Sequence, residues 1–571
     1  MENNRRQFLT LVGAGSLAAI TGTPPSEAAP LPLKRKKGAP PAFFTPIEPS
    51  KADNLVLPQG YQAQIIAHWG DPLGSKDPEG NPEHFGFNND FTAYFPIDAL
   101  TGGKSCTEGL LWVNHEYPNP LFVSDYPHPP KDLESPELKT WIALKKTKEQ
   151  IILEKKSVGG SVLHIKLVDG KWLLVANSKF TRRFTALYPQ IELSGPSKTL
   201  VPHGVGTLAN CSGGRTPWMT VMTCEENYPE YNTLETCRWS DVPGMEIDEL
   251  QYGWVVEIDP FGDLPPKKHS ALGRFKHENT TWAVGSTKKF VVYMGDDEAD
   301  QCLYKFVSKN PLIDLKDRAA CSKLLEEGTL YAADMGKGRW IPLVYDAPTA
   351  AKIHSSKIYL AMQKADPKFQ ITSQGELLIH ARVAAKILGA TPLDRCEDCE
   401  VHPKDGSLYV ALTNNTKHGN FYGHIVRLVE QDDNPEATSF EYEVFLAGGP
   451  QSGLACPDNL AFDADGNLWC VCDISSSKIG SGVYKSFGNN GLYVIPTSGD
   501  SAGDAFQFAS GPNDAELTGP WFSEDGKTLF LSVQHPGEES PDKQNLTSNW
   551  PGKPGDIPKP AVVAITGFPK E

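Results

Sequence analysis

The chain has 571 residues, 39% of them hydrophobic and 10% aromatic, with 54 Lys and Arg against 70 Asp and Glu for a net charge of −16. That apolar content supplies a sizeable core and excludes a disordered or fibrous chain, and the acidic balance excludes nucleic acid as the principal partner, because a polyanion needs a basic surface. The 51 Gly and 47 Pro mark a turn-rich chain of many short strands, and no apolar run reaches the roughly 20 residues of a membrane helix.

At the N-terminus Arg5-Arg6 precedes Gln7-Phe8-Leu9, and an apolar stretch runs from Leu9 to Ile20 before the small-residue site Ser26-Glu27-Ala28. This is the pattern of a twin-arginine export signal, which carries folded proteins. Residues 1–28 are therefore expected to be the signal peptide and 29–56 a tether that includes the basic run Lys34-Arg35-Lys36-Lys37. The twin-arginine machinery is the expected export partner and the periplasm or the exterior the expected destination.

Further along, the strand Leu110–Val113 runs into Asn114-His115-Glu116, an imidazole and an acid at a strand end. The Lys- and Glu-rich stretch 135–154 reads as a helical surface insertion, and Asp169-Gly170 as a hairpin turn. The block from Gly206 to Tyr228 is richer: Gly213-Gly214 permits a sharp bend between Cys211 and the pair Glu225-Glu226. A thiolate with carboxylates suits a transition metal such as iron, whereas carboxylates alone suit calcium or magnesium. After the strand Phe290–Met294 come Asp296-Asp297-Glu298, three acids that repel one another unless solvated or bound to a cation. Arg395-Cys396-Glu397-Asp398-Cys399-Glu400 then sets a guanidinium, suited to fork-like recognition of an oxyanion, among acids. Its CxxC alone is compatible with zinc, redox chemistry or a local bridge, while Cys470 and Cys472 read as packing residues on one strand face. With eleven cysteines in all, at least one thiol stays unpaired.

The C-terminal half repeats. Asp-Gly turns begin at Asp405, Asp465 and Asp525, two steps of 60 residues, each between an incoming strand and an apolar outgoing strand. Hairpins at such a period mean a β-propeller. The expected fold is all-β: a single six-bladed β-propeller over 57–571 with helical and loop insertions, its active site at the mouth of the central channel. Polar residues at similar offsets before the turns, Glu397 and Asp458 among them, would converge there.

The motifs N-C-S-G-G-R-T-P-W (210–218), L-L-W-V-N-H-E-Y (110–117), F-G-F-N-N-D-F (85–91), F-K-H-E (275–278), Y-M-G-D-D-E (293–298), R-C-E-D-C-E-V-H-P (395–403) and C-P-D-N (456–459) stand in one order along the chain. Together they resemble the PhoX-type alkaline phosphatases. The resemblance implies an iron–calcium cluster that hydrolyses phosphate monoesters, possible diesters included, through a metal-bound oxide or hydroxide. It implies Cys211 as the iron ligand, Glu225, Glu226, Glu298, Glu397, Asp458 and Glu116 as further ligands of Fe3+ and Ca2+, and Arg395 as the phosphate-binding group. Two departures stand out: Met219 replaces the family's usual Gly, and Cys396 and Cys399 replace commoner residues. The substrates expected are small phosphate esters and the state monomeric. The alternatives are a calcium-dependent lactonase or phosphotriesterase, suggested by Cys456-Pro457-Asp458-Asn459 ahead of an Asp-Gly turn, and a non-catalytic binding propeller.

Overall fold

Each expected Asp-Gly turn joins two antiparallel strands. Gly406, Gly466 and Gly526 all take positive φ (72°, 82° and 65°), the left-handed conformation that glycine adopts without a Cβ clash. The computed structural model describes residues 37–130, 135–201, 203–233 and 237–569. The expected signal peptide, residues 1–28, with Arg5 and Arg6, lies outside them.

Six antiparallel-rich sheets follow one another along the chain and begin at the strands Asn89–Pro96, Asn210–Arg215, Thr281–Val284, Cys396–Val401, Pro457–Phe462 and Glu516–Phe522. Each first strand is followed in sequence and in the sheet by a second: Glu108–His115, Val221–Glu225, Lys289–Gly295, Leu408–Leu412, Leu468–Cys472 and Thr528–Gln534. Strand Ala561–Thr566 extends the sixth sheet, whose outer strand is Gln62–His68 from the other end of the chain, paired in antiparallel register from Gln62↔Thr566 to His68↔Ala561. The beginning and end of the fold are thereby stitched into one sheet.

Apolar side chains fill the spaces between successive sheets. Phe91, Trp112, Val221 and Val256 meet between the first and second, Met222, Val255, Phe290 and Val292 between the second and third, and Tyr293, Leu408 and Val410 between the third and fourth. Tyr409, Leu460 and Cys470 lie between the fourth and fifth, Trp469, Leu492 and Leu531 between the fifth and sixth, and Tyr94, Leu111, Phe530 and Val562 between the sixth and the first. Strands such as Asn89–Pro96 are consequently buried along their whole length, and large-to-small changes at such sites typically cost about 2–5 kcal/mol.

Three expectations change. Residues 37–56 are not a free tether: Ile47 N–H donates to Gln507 O at 3.0 Å, Val56 bridges to Ser510, and Phe44 packs edge-on against Phe508. Helical insertions are more extensive than the stretch 135–154, because the helices Ala347–His354, Lys357–Ala365, Gln374–Ile379 and Ala381–Leu388 stand between the third and fourth sheets. The 135–154 insertion does form helices (Pro136–Ala143 and Lys148–Ser157), but its charges are not all on the surface. Lys146 and Glu154 have no exposed side-chain area and pair at 2.6 Å, while Glu154 also accepts from Trp239 Nε1 at 2.8 Å. No helix among the described residues is long and apolar enough to cross a membrane.

Removing one partner of a buried pair leaves an uncompensated charge, so Lys146→Met is expected to destabilise the protein by about 3–5 kcal/mol in denaturant unfolding. Adding Glu154→Gln removes the orphaned charge and keeps an acceptor for Trp239. The double variant should recover more than half of the loss.

Candidate metal centre and active site

In all six sheets the first strand carries one residue more than its partner near its start. Pairing passes from Asn89↔His115 to Thr92↔Val113, from Asn210↔Glu225 to Gly213↔Thr223, and from the bridge His277↔Asp296 to Thr281↔Tyr293. It likewise passes from Cys396↔Leu412 to Cys399↔Val410, from Pro457↔Cys472 to Leu460↔Cys470, and from Thr518↔Ser532 to Trp521↔Phe530. A bulge of this kind bends a strand and re-aims a side chain. The residue just after the outermost of these pairs is Asp90, Cys211, Glu278, Glu397 and Asp458 in the first five sheets, and Gly519 in the sixth. At Gly519 (φ 56°) a Cβ would lie 2.6 Å from the backbone of Phe91 and Thr92, so no side chain fits.

Five sheets thus supply an acid or thiol, and second strands add to them. Donor atoms of Asp90, Glu116 and Cys211 lie within 4.8 Å of one another, as do those of Cys211, Glu226 and Glu278, and those of Glu278, Glu397 and Asp458. The three groups share Cys211 and Glu278 and so form one continuous run. At that spacing two ionised groups repel by about 3–4 kcal/mol at an effective dielectric of about 20. Burial, followed by the neighbouring carboxylates, pushes Glu278 well above the usual carboxylate range. Burial and then the Glu116 carboxylate do the same to Asp90. Burial also lifts Asp458 to about 7 despite Arg395 nearby, and the Cys211 thiol rises for the same first cause. Asp90 Oδ1 and Glu278 Oε2 are buried and accept no hydrogen bond from a described residue. Hard oxygen donors beside one thiol, mutually repelling when ionised and with two oxygens lacking a hydrogen bond, are a donor set suited to a group of cations.

Arg395 supplies the opposing charge. Its Nε and Nη2 fork onto the two Asp297 oxygens at 3.0 and 2.8 Å, Nη1 reaches Asp473 at 3.1 Å, and Nη2 also contacts Glu397. The Arg395 side chain keeps 27% of its surface exposed. Gln534 Nε2 donates to Glu116 at 2.8 Å and to Asp90 at 3.2 Å, which brings the sixth sheet to the cluster through an amide.

Of the residues expected from sequence, Cys211, Glu226, Glu397, Asp458 and Glu116 are gathered here and Arg395 borders them. Glu225 and Glu298 are not. Glu225 is the last paired residue of its strand and turns into a buried ion pair with Lys268 at 2.6 Å. Glu298 is 45% exposed and pairs with Arg382. One register rule covers these placements in the first, second, third and fifth sheets: the side chain one position beyond the outermost second-strand pair reaches the centre or its arginine (Glu116, Glu226, Asp297, Asp473), whereas the paired residue itself turns away. His115 accordingly bonds Ser161 Oγ at 2.8 Å, and Asp296 bonds Arg382 at 2.9 Å. Asp90 and Glu278 were missed, although both stand in quoted motifs at the position equivalent to Cys211. Cys396 and Cys399 join no donor group, and none of the eleven cysteines is in a disulfide. Met219 has φ 62°, which is the physical reason a glycine suits that position.

The family model described as alkaline phosphatase PhoX matches residues 42–537. Among solved structures, Pseudomonas fluorescens PhoX in complex with vanadate, a transition state analogue, is similar over 92% of this chain and 97% of that chain, at 31% identity and a TM-score of 0.74. The Xanthomonas campestris gluconolactonase XC5397 (10% identity, 94% of this chain and 100% of that one, TM-score 0.30) and a Trichoderma reesei family AA12 structure (10% identity, 92% and 100%, TM-score 0.35) are too distant to carry an argument. No curated protein matches the chain.

The arrangement separates two adjacent glutamates. Glu226→Gln is expected to lower the metal retained per chain on elemental analysis. Glu225→Gln should keep the metal but lower the melting temperature, because Lys268 is left buried without its partner, and Glu298→Gln should alter neither. Equal metal loss in Glu225→Gln and Glu226→Gln would refute the register rule.

Proposed function

The chain belongs to the PhoX alkaline phosphatase family and is a phosphoric-ester hydrolase, and we propose that it releases inorganic phosphate from phosphate monoesters at the run of buried acids bordered by Arg395. The observation that carries this reading is the convergence of Asp90, Cys211, Glu278, Glu397 and Asp458 from equivalent bulges, with one guanidinium beside them. Vanadate bound to the P. fluorescens protein supports a site for a phosphoryl group in flight. The six sheets, the apolar core between each successive pair, and the one sheet shared by strands from both ends of the chain support a six-bladed propeller closed within one monomer. Residues Arg5 and Arg6 support export to the periplasm or beyond.

We assign the ligand role to Cys211, Glu226, Glu278, Glu397, Asp458, Asp90 and Glu116, and iron with calcium as their guests, since one soft thiolate stands among hard oxygens. Bound there, such cations supply positive charge to the phosphoryl oxygens and lower the pKa of water. The rest falls to the chain's own groups. Asp297 and Asp473 fix the plane of the Arg395 guanidinium. Nη2 is ion-paired with Glu397, whose Oε1 accepts no hydrogen bond from a described residue, so a phosphoryl oxygen approaching the Nη1 and Nη2 side displaces no hydrogen bond to that carboxylate. Two donors on one edge match two non-bridging oxygens, and their pull strengthens as charge grows in the transition state. The buried strands around them keep bulk water from screening it.

Arg395→Ala is expected to cut kcat/KM on a phosphate monoester about 10²–10³-fold and to weaken inhibition by vanadate and inorganic phosphate. Arg395→Lys, with the charge but not the fork, should recover part of the loss. Metal content should hold in both, since removing a cation from among carboxylates does not weaken their hold on metal ions. Wild-type turnover and phosphate inhibition in Arg395→Ala would remove the clamp assignment.

A further inference from the structure

A cavity of about 220 Å³ opens beside the acidic run, between the segment 116–129 and the helix Pro136–Ala143 on one side and residues 227–231 on the other. Two of its lining residues belong to the cluster or touch it. Glu116 is a member of the first donor group, and Asn227 Nδ2 donates to Glu226 at 2.8 Å. The remaining wall is dominated by Tyr117, Tyr126, Trp141 and Tyr231 with several prolines.

The polar ends of those four rings are all committed elsewhere. Tyr117 O–H donates to Glu538, Tyr126 O–H to Leu144 O at 3.0 Å, Tyr231 O–H to Glu116 O at 2.5 Å, and Trp141 Nε1 to Pro127 O at 2.8 Å. What these four residues and the prolines present to the cavity is therefore apolar surface. An aromatic ring set against these walls leaves none of their polar atoms newly unpaired. The wall is also propped from behind. The Arg238 guanidinium lies 4.8 Å from the Trp141 ring, bonds Tyr126 Oη and is paired with Asp241. Carboxylates of Glu116, Glu230 and Glu538 on the same lining disfavour an anionic guest. A cavity of about 150 Å³ already accommodates benzene, so this one has room for a substituted ring.

We propose that this cavity receives the organic group of the phosphate ester and selects an uncharged aromatic ring over an anionic or small group. The inference rests on the proposed placement of the phosphoryl group beside Arg395. Non-hydrolysable phosphonates test it without the bias that a good aryl leaving group introduces. In the metal-loaded wild-type enzyme, benzylphosphonate should inhibit at least about tenfold more tightly than methylphosphonate. Trp141→Ala should collapse that ratio toward one while inhibition by methylphosphonate and inorganic phosphate stays unchanged, and Trp141→Phe should preserve most of it. A wild-type ratio near one, or a ratio untouched by Trp141→Ala in folded protein, would overturn the assignment. If Trp141→Ala does not fold, the wild-type ratio and Trp141→Phe decide it. Failure of inorganic phosphate and methylphosphonate alike to inhibit wild type would instead overturn the phosphoryl placement beneath it.

Discussion

One residue of surplus backbone, repeated in six first strands, aims the first-strand donors of the centre. Along a regular strand, neighbours alternate between faces, and an acid at each sheet end would have its side chain set by that alternation alone. The bulge breaks it locally and turns one side chain per sheet toward a common region. Where the bulges converge most closely, the sixth sheet has room only for Gly519, and its backbone is tied sideways instead: Thr92 Oγ1 donates to Gly519 O at 2.7 Å, and Gly519 N–H donates to Asn459 Oδ1 at 2.8 Å. Five donors and one glycine are thus the output of a single repeated backbone feature.

Gathering those donors is electrostatically unfavourable in the bare protein, and the rest of the fold has to hold them against mutual repulsion. Six apolar cores between successive sheets do this, together with the antiparallel pairing of Gln62–His68 with Ala561–Thr566 that keeps the first and last sheet elements from parting. Charges that do not serve the centre are neutralised in pairs at its edge, as Glu225 is by Lys268 and Asp296 by Arg382. Arg395 is the exception in being partly exposed although paired with several acids, and its φ of 57° shows that the backbone there is bent out of a regular strand just ahead of Glu397.

The helical insertion near the centre is built as one unit with the cavity it lines. Glu154 joins Lys146 to Trp239, and Arg238 next to it joins Asp241 to Tyr126 and the Trp141 carbonyl at 3.2 Å. A buried ion pair in a Lys- and Glu-rich stretch thereby fixes the orientation of aromatic rings that face the acidic run. Rings held this way lose little freedom when a guest binds, which is the basis of preorganised recognition.

Much was legible in the amino-acid sequence because it depends on neighbours in the chain. Asp-Gly turns at a 60-residue period declare repeated hairpins, since the turn demands a left-handed residue between two apolar runs. The ordered motifs identify the family, and Cys211, Glu226, Glu397 and Arg395 stand out within them. Register across strands was not legible. Glu225 and Glu226 are adjacent and chemically identical, yet one ends in a buried pair with Lys268 and the other at the centre, because only inter-strand pairing decides which is the last paired residue. Asp90 and Glu278 sit in motifs with no distinguishing composition, and their equivalence to Cys211 emerges once the bulges are superimposed. The cavity behind Glu116 was likewise invisible, being assembled from segments far apart in the chain whose ring hydroxyls and indole N–H are taken up by tertiary hydrogen bonds. Local conformation and family are written in short-range sequence, whereas the direction a side chain faces is decided by the strand packed beside it.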